Sequence, residues 1–133
     1  SHEAAVMDKP DQSEREALKT DMTVDITTIG RKSGEPRRLE IWAHYIDGRV
    51  VITGTPGPRG WYANILADPR LTIHLKGDVQ ADLAGTARAV TDEAERRVIL
   101  TNVKRLSRMP QRRNMNVDER VRGSCLIEVT LEE

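Results

Sequence analysis

Residues 37–53, RRLEIWAHYIDGRVVIT, decide the fold. Side chains alternate with a period of two along an extended chain. Leu39, Ile41, Ala43 and Tyr45 therefore fall on one side of it, and Glu40, Trp42 and His44 on the other. The alternation runs into Asp47-Gly48 and out again through Val50-Val51-Ile52. Asp-Gly between two β-type runs marks a two-residue hairpin, because its turn needs positive φ and these residues tolerate it. Two antiparallel strands, 37–46 and 49–53, are expected.

The same pattern extends in both directions. MTVDITTI, residues 22–29, alternates and is rich in β-branched residues, so it is a third strand, joined to the hairpin by the turn GRKSGEP. Residues 71–76 form a strand, Gly77-Asp78 a tight turn and residues 79–90 a longer strand with Gly85 as a bulge or bend. SCLIEVTL, residues 124–131, closes the chain as a strand. Helices are expected over residues 11–20, capped by Asp11 or Ser13, and over 61–67, stopping before Asp68-Pro69. A third is expected from a Thr91 cap to about residue 107, packing through Ala94, Val98, Leu100 or Thr101, and Leu106. Residues 111–123 read as a polar connection. Six hairpin-linked strands with peripheral helices make a mainly β, α+β fold: a small antiparallel barrel, closed or half-open, without exposed edges. Residues 1–133 form a single domain in this reading, with residues 1–21 as an N-terminal tail and helix.

Composition narrows the function. The chain has 133 residues, enough for one core. Its 21 basic and 21 acidic residues cancel, so no whole-protein attraction to nucleic acid is expected. Phenylalanine is absent, leaving Val, Ile and Leu to fill the core. The single cysteine, Cys125, excludes an internal disulfide and a cysteine metal cluster, and its apolar setting predicts a buried, inert thiol. No apolar run is long enough to span a bilayer, and the polar start carries no signal-peptide pattern. A cytoplasmic protein, monomer or homodimer, is the expectation. The sequence contains no Gly-x-Ser-x-Gly, P-loop or Gly-x-Gly-x-x-Gly motif. His44 and His74 lie in strands with no cluster of ligands around them, so packed or half-exposed histidines are expected and no metal.

Two stretches carry chemistry. Arg31, Lys32, Arg37 and Arg38 crowd around Gly30, Ser33 and Gly34 with only Glu35 opposing them. Such a turn is either a phosphate or carboxylate cradle or a solvated hairpin tip. The second stretch is TGTPGPRGWYANIL, residues 53–66. Its glycines, Gly54 and Gly60 among them, let backbone approach a ligand, and the helix start that follows favours negative charge. Arg59 adds a cation, and Trp61 and Trp42 offer flat faces, although Trp61 serves equally as a core anchor. A planar ligand with an anionic tail, such as a flavin-type cofactor, would use all of these parts.

DITTIGRKSGEPRRLEIW and DGRVVITGTPGPRGWYANILADPRLTIHLKG together resemble the deazaflavin (coenzyme F-420)-dependent nitroreductase family of split β-barrel flavin/deazaflavin oxidoreductases. The resemblance implies a six-stranded, FMN-binding-like split barrel and coenzyme F-420, an 8-hydroxy-5-deazaflavin with a phosphate and an oligoglutamate tail. It implies that Arg31, Lys32, Ser33 and Arg37 meet the phosphate or tail. Thr53, Gly54 and Thr55 would line the ring and its linker, and Gly60, Trp61 and Asn64 would close the helix start over it. Relatives often carry Ser-Lys where this chain has Thr55-Pro56, so that cation is lost, and Arg59 would replace it. The implied activity is hydride transfer from reduced F-420 to an electron-poor small molecule: an enone, quinone or nitro compound. FMN is the alternative cofactor, and a non-catalytic flavin- or deazaflavin-binding protein the alternative function. Tyr62, Tyr45 and His44 are candidate proton donors, and spacing selects none of them.

Overall fold

The hairpin at 37–53 forms as its alternation requires. In the computed structural model, which describes residues 14, 17–46, 48–56 and 59–132, β2 (Pro36–Ile46) and β3 (Arg49–Pro56) pair antiparallel. Ala43 faces Ile52, and Ile46 faces Arg49. Gly48 takes the positive φ of the turn, at 80°, while Asp47 lies outside the described residues. The other strands are β1 (Met22–Ile29), β4 (Arg70–Lys76), β5 (Gln80–Ala89) and β6 (Ser124–Leu131). They close into a barrel in the order β1-β2-β3-β6-β5-β4, and every neighbouring pair is antiparallel. The expected six-stranded barrel with outer helices is the fold.

The inward residues are mostly β-branched or leucine, with Ala43 an exception, in keeping with a chain without phenylalanine. Val24, Ile26, Ala43, Val50, Ile52, Ile73, Leu83, Ile127 and Val129 are buried together. Helix α1 (Gly60–Ala67) crosses from β3 to β4, lies against β1 and β5, and drives Trp61 and Ile65 into that core. A second apolar layer forms outside the barrel. There α2 (Glu93–Leu106) sets Leu100 and Val103 on Ile46, Val51 and Leu126.

Several expectations are corrected. The cap of α2 is Asp92, whose carboxylate accepts from the Glu95 N–H at 2.9 Å, not Thr91. The helix also packs on a different phase: Arg96, Leu100 and Val103 are buried, whereas Ala94, Val98, Thr101 and Leu106 are exposed. The reason is Arg96, a charged residue in the buried stripe that breaks the apolar pattern. Residues 111–123 are not a mere connection. They hold α3 (Pro110–Arg113), started by its proline, and α4 (Val117–Gly123), capped by Asn116 accepting from Glu119 N–H at 3.0 Å. Gly85 sits in unbroken register. It is glycine because a Cβ there would stand 2.8 Å from Val129 Cγ1 and 3.0 Å from the Thr130 carbonyl oxygen. The irregularity lies instead at the end of β3, between Thr53 and Pro56. Most of the expected helix over residues 11–20, with Asp11 and Ser13, lies outside the described residues. Glu14 and Ala17 are helical, and Leu18 is buried in the core.

Cys125 is a buried thiol outside any disulfide, pushed up in pKa by its burial. Among the described residues no cluster of His, Cys, Asp or Glu could hold a metal ion, and no helix is long and apolar enough to cross a membrane.

Candidate active site

The basic turn between β1 and β2 is built by its own backbone. Gly30 N–H donates to the Glu35 carbonyl oxygen and Gly34 N–H to that of Gly30, both at 2.8 Å, with Gly34 at φ 73°. A Cβ on Gly30 would lie 2.7 Å from Ser33 Oγ. That hydroxyl accepts from Glu35 N–H at 3.1 Å and from Arg37 Nη2 at 3.5 Å. Asn64 of α1 then fastens the turn to the barrel. Its Oδ1 accepts from the Arg31 backbone N–H at 3.1 Å and from Arg31 Nη1 at 2.9 Å, while its Nδ2 donates to Thr28 Oγ1 at 3.2 Å. Thr28 and Asn64 are both buried, so this latch is sheltered from competing water.

Between turn and helix lies a cleft of about 380 Å³, lined by Thr28, Arg31, Lys32, Ser33, Arg37, Leu39, Gly60, Trp61 and Asn64. Arg38 is paired with Asp25 at 3.0 Å. Arg31, Lys32 and Arg37 have no carboxylate within 4.0 Å among the described residues. Arg59, the N-cap of α1, makes no side-chain cap bond, and the first turn carries no acidic residue, so the helix end adds its positive potential. A Cβ on Gly60 would meet nothing within 4 Å, so the backbone there is open to approach.

A sequence profile of the F420H2-dependent quinone reductase family, F420H2 being the reduced form of coenzyme F-420, matches residues 3–122. The chain belongs to this family. It is therefore an oxidoreductase of an F-420-dependent type. Solved structures agree in fold. A conserved hypothetical protein from Mycobacterium tuberculosis superposes with a TM-score of 0.73 at 19% identity, over 100% of this chain and 86% of that one. A protein described as an F420 reductase gives 0.67 at 16% identity, over 94% and 97% of the two chains. A putative pyridoxamine 5'-phosphate oxidase from Listeria innocua gives 0.65 at 11% identity, over 91% and 92%.

For a member of this family, the other sequence-predicted residues divide by face. Gly54 packs behind Trp61: a Cβ on it would lie 3.3 Å from Trp61 Cζ2, 3.8 Å from Cys125 Cβ and 3.9 Å from Arg59 Cγ. Trp61 is thus both core anchor and cleft wall, and it meets Tyr62 edge-on at 5.9 Å. The backbone of Thr55 continues β3, and its side chain lies outside the described residues. Trp42 and Thr53 do not line the cleft. Trp42 carries the Arg112 guanidinium over its ring at 5.8 Å, and the Thr53 carbonyl oxygen accepts from Arg112 Nη2 at 3.4 Å. Arg112 and Arg120 were hidden from sequence reasoning because they sit in the stretch read as a connection.

The two strand histidines are packed, as expected. His74 joins three strands: its Nε2 is 2.7 Å from Thr27 Oγ1 and its Nδ1 2.7 Å from Asp82 Oδ1. His44 is fully buried, and its Nδ1 accepts from the Asp21 backbone N–H at 3.3 Å. Burial first, then the charge of Arg112, pushes its pKa down to about 4 against the opposing pull of Asp21.

Proposed function

We propose that this enzyme binds coenzyme F-420 with its phosphate and oligoglutamate tail on Arg31, Lys32 and Arg37, and reduces an electron-poor small molecule: an enone, quinone or nitro compound. The observation that carries this is the convergence of three cations, free of carboxylate partners among the described residues, on one cleft walled by Trp61. That arrangement fits a polyanion attached to a flat ring. Ser33 and Asn64 hold the shape of the cradle, and Gly60 leaves room for backbone to approach it. Thr53, Gly54 and Thr55, at the bulged end of β3, would line the ring, with Arg59 as an added cation. When bound, the reduced deazaflavin supplies the hydride, and the chain supplies orientation and exclusion of water.

The test is a fluorescence titration with F-420 and FMN side by side. F-420 is expected to bind the wild type more tightly than FMN. Lys32→Ala and Arg37→Ala are each expected to weaken F-420 binding by about 1 to 3 kcal/mol, the usual size of a charge-assisted hydrogen bond. Unchanged affinity in both variants would remove the tail from the basic turn. Tight FMN binding with weak F-420 binding would move the chemistry to a flavin.

A further inference from the structure

On the outer face of the barrel, two arginines hold the end of β3. Arg112 Nη2 donates to the Thr53 carbonyl oxygen at 3.4 Å, and Arg120 Nη1 to that of Gly54 at 3.3 Å. Neither guanidinium has a carboxylate within 4.0 Å among the described residues. The acidic group that faces them, Asp21, is already engaged. It accepts from Ser107 Oγ and from Arg108 N–H, each at 2.7 Å, and lies 3.4 Å from His44 Nδ1. Burial and the charge of Arg120 both press the pKa of Arg112 down, with Asp21 opposing. Two like charges half out of water, offset only by a carboxylate already shared with Ser107 and Arg108, are unfavourable in isolation.

The same place has donors without acceptors. Arg112 Nε and His44 Nε2 are buried and have no hydrogen-bond partner among the described residues. His44 Nδ1 accepts from Asp21 N–H, which assigns the ring proton to Nε2 and makes that atom a donor. A buried donor left unpaired is costly, so such a pair beside uncompensated charge calls for an acceptor. Trp42, only partly covered, adds a flat wall beneath Arg112.

We infer that Trp42, Arg112 and Arg120 take the carboxylate of a planar, electron-poor substrate, at a site separate from the basic turn. A guanidinium fork matches a carboxylate, and an indole face matches a fused ring, so an aromatic or quinoid acid suits this site better than its neutral analogue. The wall of the cleft and this site approach each other at one residue. Trp61 of the cleft packs against the Cα of Gly54, and Arg120 holds the Gly54 carbonyl. The acid would then sit beside the segment proposed to line the cofactor ring. As a statement about turnover the inference rests on the proposed function; as a statement about binding it stands apart from it.

The experiment compares anthraquinone-2-carboxylate with its neutral carboxamide by isothermal titration, with and without F-420. The wild type is expected to prefer the carboxylate by about 10- to 100-fold. Arg112→Gln and Arg120→Gln are each expected to shrink that preference at least severalfold, a larger factor than any change they cause in F-420 affinity through the carbonyls they hold. Arg112→Lys, which keeps the charge and loses the fork, should retain only part of it and serves if Arg112→Gln does not fold. Arg37→Ala should do the reverse, weakening F-420 and sparing the carboxylate preference. Equal binding of acid and amide by the wild type, or an undiminished preference in Arg120→Gln and Arg112→Lys, overturns the inference. A preference abolished by the arginine variants in a protein that binds no F-420 would support this site and sink the proposed function.

Discussion

His44 gains its character entirely from where its strand lies. In sequence it alternates with Trp42 on the face away from the barrel interior; in the fold that face is covered, and the imidazole is fully buried. Its pKa falls from the ordinary 6.5 to about 4, so folding favours the neutral ring. The sign follows: the stabilisation is fully present above about pH 6.5 and is lost as the pH falls toward 4. The full span corresponds to about 3 kcal/mol. Asp25 and Asp68 are both held below the usual carboxylate range by arginine or lysine partners, so their contributions fade only at lower pH. Urea unfolding at pH 7.5 and 4.5 should therefore show a loss of roughly 2 to 3 kcal/mol in the wild type and a smaller one in His44→Gln. An equal loss in both proteins would assign the pH dependence to another group.

Among the elements, α2 depends on one buried arginine. Arg96 donates through Nε to the Val121 carbonyl oxygen at 2.9 Å, through Nη1 to that of Val90 at 2.7 Å, and through Nη2 to those of Arg120 and Ser124 at 3.1 and 2.7 Å. One side chain thus ties α2 to the exit of β5, to α4 and to the start of β6. Arg96→Met would keep the volume and strand these carbonyls, at a cost of about 3 kcal/mol or more. Denaturant unfolding should show that loss, with amide protection in α4 falling before protection in the barrel. A variant of unchanged stability would refute the tie. Arg96 also explains what could be read from the sequence. Strands and hairpins were legible because period-two alternation and Asp-Gly chemistry are local. The phase of α2 was not, because a charged residue occupies its buried stripe. Helices α3 and α4 were not, because the buried groups there, Met115 between the two helices and Val121 in α4, are single apolar residues in a polar run. The basic turn and the start of α1 were legible as contiguous motifs. The Asn64–Arg31 latch joins residues 33 positions apart, and Arg112 and Arg120 lie 59 and 66 positions from the carbonyls they hold. Only the closed barrel brings those groups together.

At the scale of the whole molecule, net charge zero conceals an uneven distribution. Many carboxylates are already engaged in ion pairs. Asp25 meets Arg38 and Lys76, Glu40 meets Lys76, Glu128 meets Arg49 and Arg88, and Asp118 meets Arg97. What remains uncompensated at the cleft is Arg31, Lys32 and Arg37, so the positive field there is local. Exposed pairs contribute little to stability, and added salt should barely shift the unfolding midpoint. Cofactor binding should respond differently. Screening shortens from about 10 Å at 0.1 M salt to about 3 Å at 1 M, which spans the reach of three cations on a polyanionic tail. Raising salt from 0.05 to 0.5 M is expected to weaken F-420 binding by about an order of magnitude. FMN, with its single phosphate, should weaken less, and Lys32→Ala should flatten the F-420 response. A steep slope for F-420 with a shallow one for FMN would put the tail on the turn. Two flat slopes would mean that the turn is a solvated tip and that the ring, rather than the anion, carries the binding.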